Sequence, residues 1–362
     1  MRAGAPVEVR IGLPYLPARS DHAFLAAILE LGAGALISAG SLYRPDRGWA
    51  TAPITAWSVG PALDSAGFVA QARFGGYRWS IAEYVERVVA NFAGGGRDED
   101  PPRWALPFPW AWWSAPDFCC EAEIAPDRAE VSARIAATVD AYGETLTELE
   151  GWRGEGENVV PDPLPILQGR TPEDYVSCAE ALAETIDAHH PCTCPSGDVE
   201  GCPATWHREV HGLPALVGLG SVCRRPLHGP EGLIAVLDAL HAALPKYIKL
   251  HLFGIKTFGL QHLGRYGDRV ASVDSVAWDR AARWDALKAG VSNDLQHRTG
   301  ALRRWFASQQ QHQRAGELID LAGLSLRQSP PPGLSAEDIE RFLARNHAQL
   351  VKLAASALRR AA

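Results

Sequence analysis

The sequence predicts an α/β fold, a TIM-like (β/α)8 barrel with loop insertions and a C-terminal helical extension. Three observations predict it. Short, nearly continuous apolar runs alternate with helix-like stretches, as in a parallel sheet buried on both faces. Seven such units follow one another over about 250 residues, which suits a barrel better than an open doubly wound sheet. The runs end in polar residues, and a barrel gathers all its strand ends at one rim.

The strand candidates are 35–40 (ALISAG), 61–66 (PALDSA), 110–117 (WAWWSAPD), 164–169 (LPILQG), 216–222 (LVGLGSV), 248–255 (IKLHLFGI) and 270–275 (VASVDS). An eighth is not evident. Helical stretches are expected at 81–92, 130–149, 171–188, 231–244 and 276–290. Asp64, Asp117, Gln168, Ser221, Lys256 and Asp274 sit at strand ends. Any one of them also reads as an ordinary turn residue; six on one predicted rim argue for a site.

The barrel is expected to span residues 1–290, with a Cys/His-rich insertion at 189–212. The helical extension covers 291–362. Within it, a Pro-rich break from Ser329 to Gly333 precedes a final helix, where Ser335 and Asp338 have capping-box spacing. The basic side of that helix, with Arg341, Arg345 and Lys352, reads as a solvated face or a nucleic-acid backbone contact. The tryptophans at 104–113 read as packing, or as a platform for unstacked bases.

The chain has 362 residues, is 47% hydrophobic and carries a net charge of −7. That composition fits a globular protein with a large core and not a disordered one. The negative balance argues against broad, non-specific nucleic-acid binding but permits a local basic groove. No run approaches the roughly 20 apolar residues of a membrane span, and no secretory signal is visible. Seven cysteines, an odd and irregular set, suggest reduced thiols or a metal site rather than a disulfide framework. Cys192, Cys194, Cys202 and His207 supply the donors that structural Zn2+ prefers, although isolated cysteines and histidines in loops are common. No glycine motif for cradling phosphates is present, so no redox or nucleotide cofactor is expected.

Three motifs carry chemistry. Asp64-Ser-Ala-Gly-Phe68 puts a carboxylate at a strand end among small residues, where a ligand can approach, with Phe68 offering a flat apolar face. Gln168-Gly169 presents an amide that donates and accepts, suited to a purine edge. Asp274 is followed by Arg280 and Arg283, six and nine residues on, one turn apart on one helical face and able to hold phosphates. Two aspartates at one barrel mouth suit glycoside chemistry, one as nucleophile and one moving protons.

Taken together, DSAGF, LPILQGRTPEDYVSCAEAL, VGLGSVCRR, LHLFGIK and ASVDSVAWDRAAR resemble the tRNA-guanine transglycosylase superfamily, in order, across roughly residues 35–285. They are most similar to its DpdA-like branch, which installs 7-deazaguanines in DNA. The resemblance implies a transferase of the pentosyltransferase type that exchanges guanine in DNA for a 7-deazaguanine, the 7-cyano form, through a covalent aspartyl intermediate. It implies Asp274 as nucleophile and Asp64 as general acid/base. It implies Phe68 and Phe253, beside Gly254, as apolar faces around the base, and Asp117 and Gln168 as readers of the purine edge. Main-chain groups at Gly218 and Gly220 would approach the base, and Arg280 and Arg283 would contact the nucleic-acid backbone. The partners implied are DNA, a free 7-deazaguanine base and further DNA-modification proteins. The setting implied is a bacterial cytoplasm, with a phage or prophage origin.

The sequence departs from the family in two ways. The usual DSGGF is DSAGF here, so Ala66 adds a methyl in a tight place. No cysteine follows Cys223, so the zinc site that tRNA-modifying members carry after the nucleophile is absent. Three other readings stay open: the same exchange on tRNA, a non-catalytic nucleic-acid-binding subunit, and a barrel hydrolase holding a metal at Asp64, Asp117 and His251.

Overall fold

The computed structural model describes residues 7–14, 22–46, 48–49, 60–92, 110–153, 160–189, 213–255 and 257–328, with isolated positions between 335 and 354. Eight parallel strands form one sheet: β1 (Glu8–Leu13), β2 (Ala35–Ser38), β3 (Ala62–Asp64), β4 (Trp112–Trp113), β5 (Ile166–Leu167), β6 (Leu216–Leu219), β7 (Lys249–Leu252) and β8 (Val270–Ser275). Their hydrogen-bonded order is β4-β3-β2-β1-β8-β7-β6-β5. The two ends of that series also meet. A parallel bridge joins Ser114 to Leu164, the Leu164 N–H donates to the Trp113 carbonyl at 2.7 Å, and the Ala115 N–H donates to the Leu164 carbonyl at 3.1 Å. Chain order and cyclic order therefore agree, as a (β/α)8 barrel requires.

The strand that sequence reasoning missed is β1. Its residues alternate, with Val9, Ile11 and Leu13 packed outward among the helices and Glu8 and Arg10 on the other face. Charged residues inside a strand ordinarily mark a solvated face, and that is why this one reads poorly as a buried barrel strand. Yet Arg10 is only 5% exposed, and it lies in register with Asp274.

Among the described residues the helices of eight residues or more are α1 (His22–Glu30), α2 (Gly67–Phe74), α3 (Ile81–Phe92), α4 (Arg128–Arg153), α5 (Pro172–His189), α6 (Leu233–Ala243), α7 (Ala277–Ala289) and α8 (Leu295–Gln328). All five expected helical stretches are present within a few residues of their expected bounds. The main core lies between strands and helices and includes Trp113, Tyr84, Tyr175 and Trp278, all fully buried. A smaller cluster of Leu36, Ala62, Trp112, Leu164 and Ile166, joined by Leu216 and Phe253, fills the barrel interior. The long α8 packs against α1 and α7 and contributes Leu302 and Phe306 to the main core. Asp279 at the start of α7 ties the two together through Arg298. Of the expected final helix, Arg341, Phe342 and Leu343 are helical. The Cys/His-rich insertion, with Cys192, Cys194, Cys202 and His207, lies outside the described residues, as does Lys256.

Ala66 caps the N-terminus of α2 with φ +70° and ψ 27°, a left-handed conformation that favours glycine. The methyl costs about 1 kcal/mol there, while glycine at the same place loses a comparable but smaller amount through unfolded-state entropy. Ala66→Gly is therefore expected to raise Tm by about 1–2 °C, read in a thermal melt. A clear fall in Tm would mean that the Ala66 side chain, which is buried, packs more favourably than its backbone is strained.

Candidate active site

The mouth of the barrel is built in two layers. Below it, inside the barrel, Arg10, Trp112, His251 and Ser272 form a buried floor. The Arg10 guanidinium lies 5.5 Å from the Trp112 ring centre and donates to Glu8. The His251 ring is fully buried against Trp112 and Phe253, with centroids 4.6 Å away in both cases. Its Nδ1 lies 2.7 Å from Ser272 Oγ and its Nε2 lies 3.5 Å from Asp274 Oδ1. Burial holds the imidazole pKa below its ordinary value even though Asp274 pulls it up, so the ring stands neutral beside that carboxylate.

Above this floor, β8 carries Asp274, 6% exposed. Its Oδ1 accepts the Gly254 N–H at 2.7 Å. Gly254 can aim its N–H there because it adopts φ +67°, and a side chain at that position would collide with Cys223. Oδ1 is thus held by Gly254 and faces His251, while Oδ2 has no hydrogen-bond partner among the described residues.

Asp64 ends β3. It accepts hydrogen bonds from the Ala66 N–H and the Ser38 hydroxyl, which favour the carboxylate, but burial and the charges of Asp117 and Asp274 outweigh them. Its pKa is raised to about 7, so near neutrality it holds and releases a proton with equal ease.

Asp117, seven per cent exposed, is gripped from several directions. Ser65 donates to its Oδ1 at 2.9 Å, and Gln168 Nε2 donates to its Oδ2. Its own N–H donates to the Tyr77 hydroxyl at 2.9 Å. Burial still dominates and lifts this carboxyl to about 6. Gly67 lies so close that a Cβ there would come within 2.5 Å of Asp117 Oδ1. The third glycine-like position of DSAGF tolerates a methyl, but this fourth one does not.

Gln168 is fully buried, and both ends of its amide are engaged, by Asp117 and by Ser221 Oγ at 2.6 Å. It lies against Gly220, where a Cβ would come within 2.2 Å of Gln168 Nε2. At Gly218, a Cβ would meet Ile166 at 2.4 Å and Phe253 at 2.7 Å. These glycines thus make room for Gln168 and Phe253, side chains of the site itself. Arg225 ties the neighbouring loops together, donating to the Gly169 carbonyl at 2.8 Å and the Ser221 carbonyl at 3.2 Å.

Phe68 and Phe253 are both half-buried at the mouth. The Arg224 guanidinium lies 4.7 Å from the Phe68 ring centre, a cation–π contact that sequence reasoning did not foresee. Arg280 and Arg283 are exposed on the first turns of α7, and Arg283 is bound to Asp279 at 2.7 Å.

The structure thus gathers Asp64, Asp117, Gln168, Gly218, Gly220, Phe253, Gly254 and Asp274 at one end of the barrel. Sequence reasoning missed Arg10, Ser65, Tyr77, Glu121 and Arg224. Ser65 was visible inside DSAGF; Tyr77 gave no signal, lying in an unpatterned turn. Cys120, Cys178 and Cys223 are free thiols pushed up to about 12 by burial, which fits small apolar packing groups and not nucleophiles. Among the described residues no three His, Cys, Asp or Glu side chains converge as a metal-ligand set, Asp64, Asp117 and His251 included. No described helix is long and apolar enough to cross a membrane.

The family model described as DpdA, DeoxyPurine in DNA protein A, matches residues 30–190 and 209–309. No curated protein matches the chain.

Proposed function

Because the chain belongs to the DpdA family, DeoxyPurine in DNA protein A, and so to the proteins of 7-deazaguanine DNA modification, we propose that it exchanges guanine in DNA for free 7-cyano-7-deazaguanine through a covalent aspartyl intermediate. The observation that carries this reading is the pairing of Asp274, with one oxygen left open, and Asp64, raised to about 7, at one barrel mouth.

The target guanine first leaves the base stack, since its C1′ is shielded within a duplex. Asp274 Oδ2 then bonds to C1′ as the C1′–N9 bond breaks, and Asp64 gives its proton to the departing purine. The 7-deazaguanine enters the emptied pocket. Its N9 attacks C1′, Asp64 takes the N9 proton back, and Asp274 leaves as a carboxylate. One proton and one glycosidic bond are exchanged in each direction, so the cycle closes without an oxidant or nucleotide. Asp117 accepts the N–H donors of the guanine edge, and Gln168 holds Asp117 in place from below. Phe68 and Phe253 provide the flat faces, with Arg224 displaced from one of them. Arg280, and Arg283 once released from Asp279, contact flanking phosphates. Zn2+ at Cys192, Cys194, Cys202 and His207 would be a structural staple for the insertion and takes no part in these steps.

The test is direct. Purified protein is incubated with labelled 7-cyano-7-deazaguanine and either DNA or tRNA. Label is expected in DNA. Label in tRNA alone would keep the mechanism and overturn the DNA assignment. No label in either, from folded protein, would overturn the catalytic reading and favour a subunit that only binds nucleic acid.

A further inference from the structure

Beneath Asp117 a short chain of contacts leads away from the pocket to a second buried carboxyl. Glu121, eight per cent exposed, lies four residues beyond Asp117, and its Oε2 is 2.8 Å from Ser221 Oγ. Ser221 Oγ is 2.6 Å from Gln168 Oε1, and the other end of that amide meets Asp117 Oδ2. The Cys120 N–H also donates to Ser221 Oγ, at 2.7 Å. Ser221 is fixed at this crossing by a left-handed backbone, φ +54°, unusual for a serine.

Hydrogens can be counted along this chain. A hydroxyl oxygen has one proton and two lone pairs. Cys120 uses one lone pair. One proton and one lone pair are left for Glu121 and Gln168, so one of these must donate to Ser221. If Glu121 donates, it is a neutral acid, Ser221 donates to Gln168 Oε1, and the amide nitrogen donates to an ionised Asp117. If Gln168 donates, its nitrogen faces Ser221 and its oxygen faces Asp117, which must then be the neutral acid. The two arrangements differ in the orientation of the amide and in which carboxyl carries the proton. Either way three contacts require three protons, and Ser221 and Gln168 supply two.

We infer that Asp117 and Glu121 hold one proton between them through Ser221 and Gln168, and that Glu121 is thereby a positioning residue that sets the charge Asp117 presents to the base. An ionised Asp117 accepts the N–H donors of a guanine-type edge; a neutral Asp117 offers a donor in the same place. The second clause rests on the function proposed above, while the shared proton rests on geometry alone. The surroundings favour sharing. Burial lifts Asp117 to about 6, and the proximity of Glu121 acts in the same direction. Tyr77 and Cys119 beside Asp117 are held protonated by burial. Cys223, 3.8 Å from Glu121 Oε1, is likewise protonated. The nearby cations are engaged elsewhere, Arg134 on Glu130 and Gln71, Arg224 on Glu123 and Phe68, and Arg225 on the carbonyls of Ser221 and Gly169 and the Tyr175 hydroxyl.

Infrared spectroscopy of the whole protein near pH 6 reads the protonated carboxyls directly. Two are expected, Asp64 and the shared proton. Asp64→Asn should remove one C=O band. Glu121→Gln should remove the other, because the new amide donates to Ser221 without an acidic proton and leaves Asp117 ionised. Ser221→Ala, a milder change to packing, should remove the same band by cutting the link. In parallel, Glu121→Gln should move the acid limb of guanine affinity to lower pH. Retention of the band in Glu121→Gln and in Ser221→Ala would overturn the inference, as would an unshifted pH profile. Loss of the band in a protein that binds no guanine would leave the shared proton standing and count against the proposed function.

Discussion

Asp274→Asn is expected to abolish base exchange, with a loss of roughly 10⁴-fold or more, the scale seen when a covalent nucleophile is removed. The substitution keeps the shape of the side chain. Its Oδ1 still accepts the Gly254 N–H, so the β8 end and the loop after β7 stay in place. What is lost is the negative oxygen proposed to bond to C1′. The measurement has two parts. Label incorporation reports the whole cycle. Incubation with DNA and no incoming base, followed by denaturing electrophoresis, reports the first half alone. Wild-type protein should give a DNA-linked species and Asp274→Asn none. Exchange that survives in the variant would take the nucleophile's role from Asp274. A linked species that persists while turnover is lost would move the attack to another carboxyl, and Asp64 is the remaining one at the mouth with its side chain partly open.

Much of this site was legible in the sequence because barrels translate chain position into spatial position. A polar residue that ends a buried strand must lie on the same rim as the others, whatever its distance in sequence. Asp64, Gln168 and Asp274 come from separate strands, and they were identifiable for this reason. The glycines were legible too, though their physical work is more specific than close approach to a ligand: Gly220 leaves space for Gln168, and Gly67 for Asp117. The misses have a common cause. Arg10, Glu121 and Tyr77 are polar residues buried by tertiary contacts across long separations, and nothing local distinguishes them from solvated ones. Glu121 reaches Ser221 from one hundred positions away in the chain. Arg10 hid a whole strand, since a charged residue in the barrel interior looks like one at a surface. The candidate zinc ligands fall outside the described residues, so only the sequence speaks for them.

Asp64→Asn should make the protein more stable and less active, and the two changes should follow different pH curves. In the folded protein Asp64 titrates near 7, whereas in the unfolded chain a carboxyl of this kind titrates near 4. Between those values the folded state binds more protons than the unfolded one, so stability falls as pH rises. Below about pH 4 both states are protonated and there is no penalty. Above about pH 7 the full cost of a buried, repelled charge is present, on the order of 2–4 kcal/mol. Asparagine carries no charge at any pH. Its stabilising effect should therefore be near zero at the acid end, grow through pH 5 and 6, and level off by pH 8, as read from urea unfolding at each pH. The same substitution removes the proton proposed to go to the leaving guanine, with an expected loss of roughly 10²–10⁴-fold in exchange. A stability gain that did not vary with pH would mean that the charge of Asp64 is not what destabilises the fold. A variant that lost stability along with activity would assign Asp64 to holding β2 and α2 together through Ser38 and Ala66. The desolvation that poises Asp64 for proton transfer near neutrality is the same force that weakens the fold there, so opposite changes in activity and stability are what its proposed role demands.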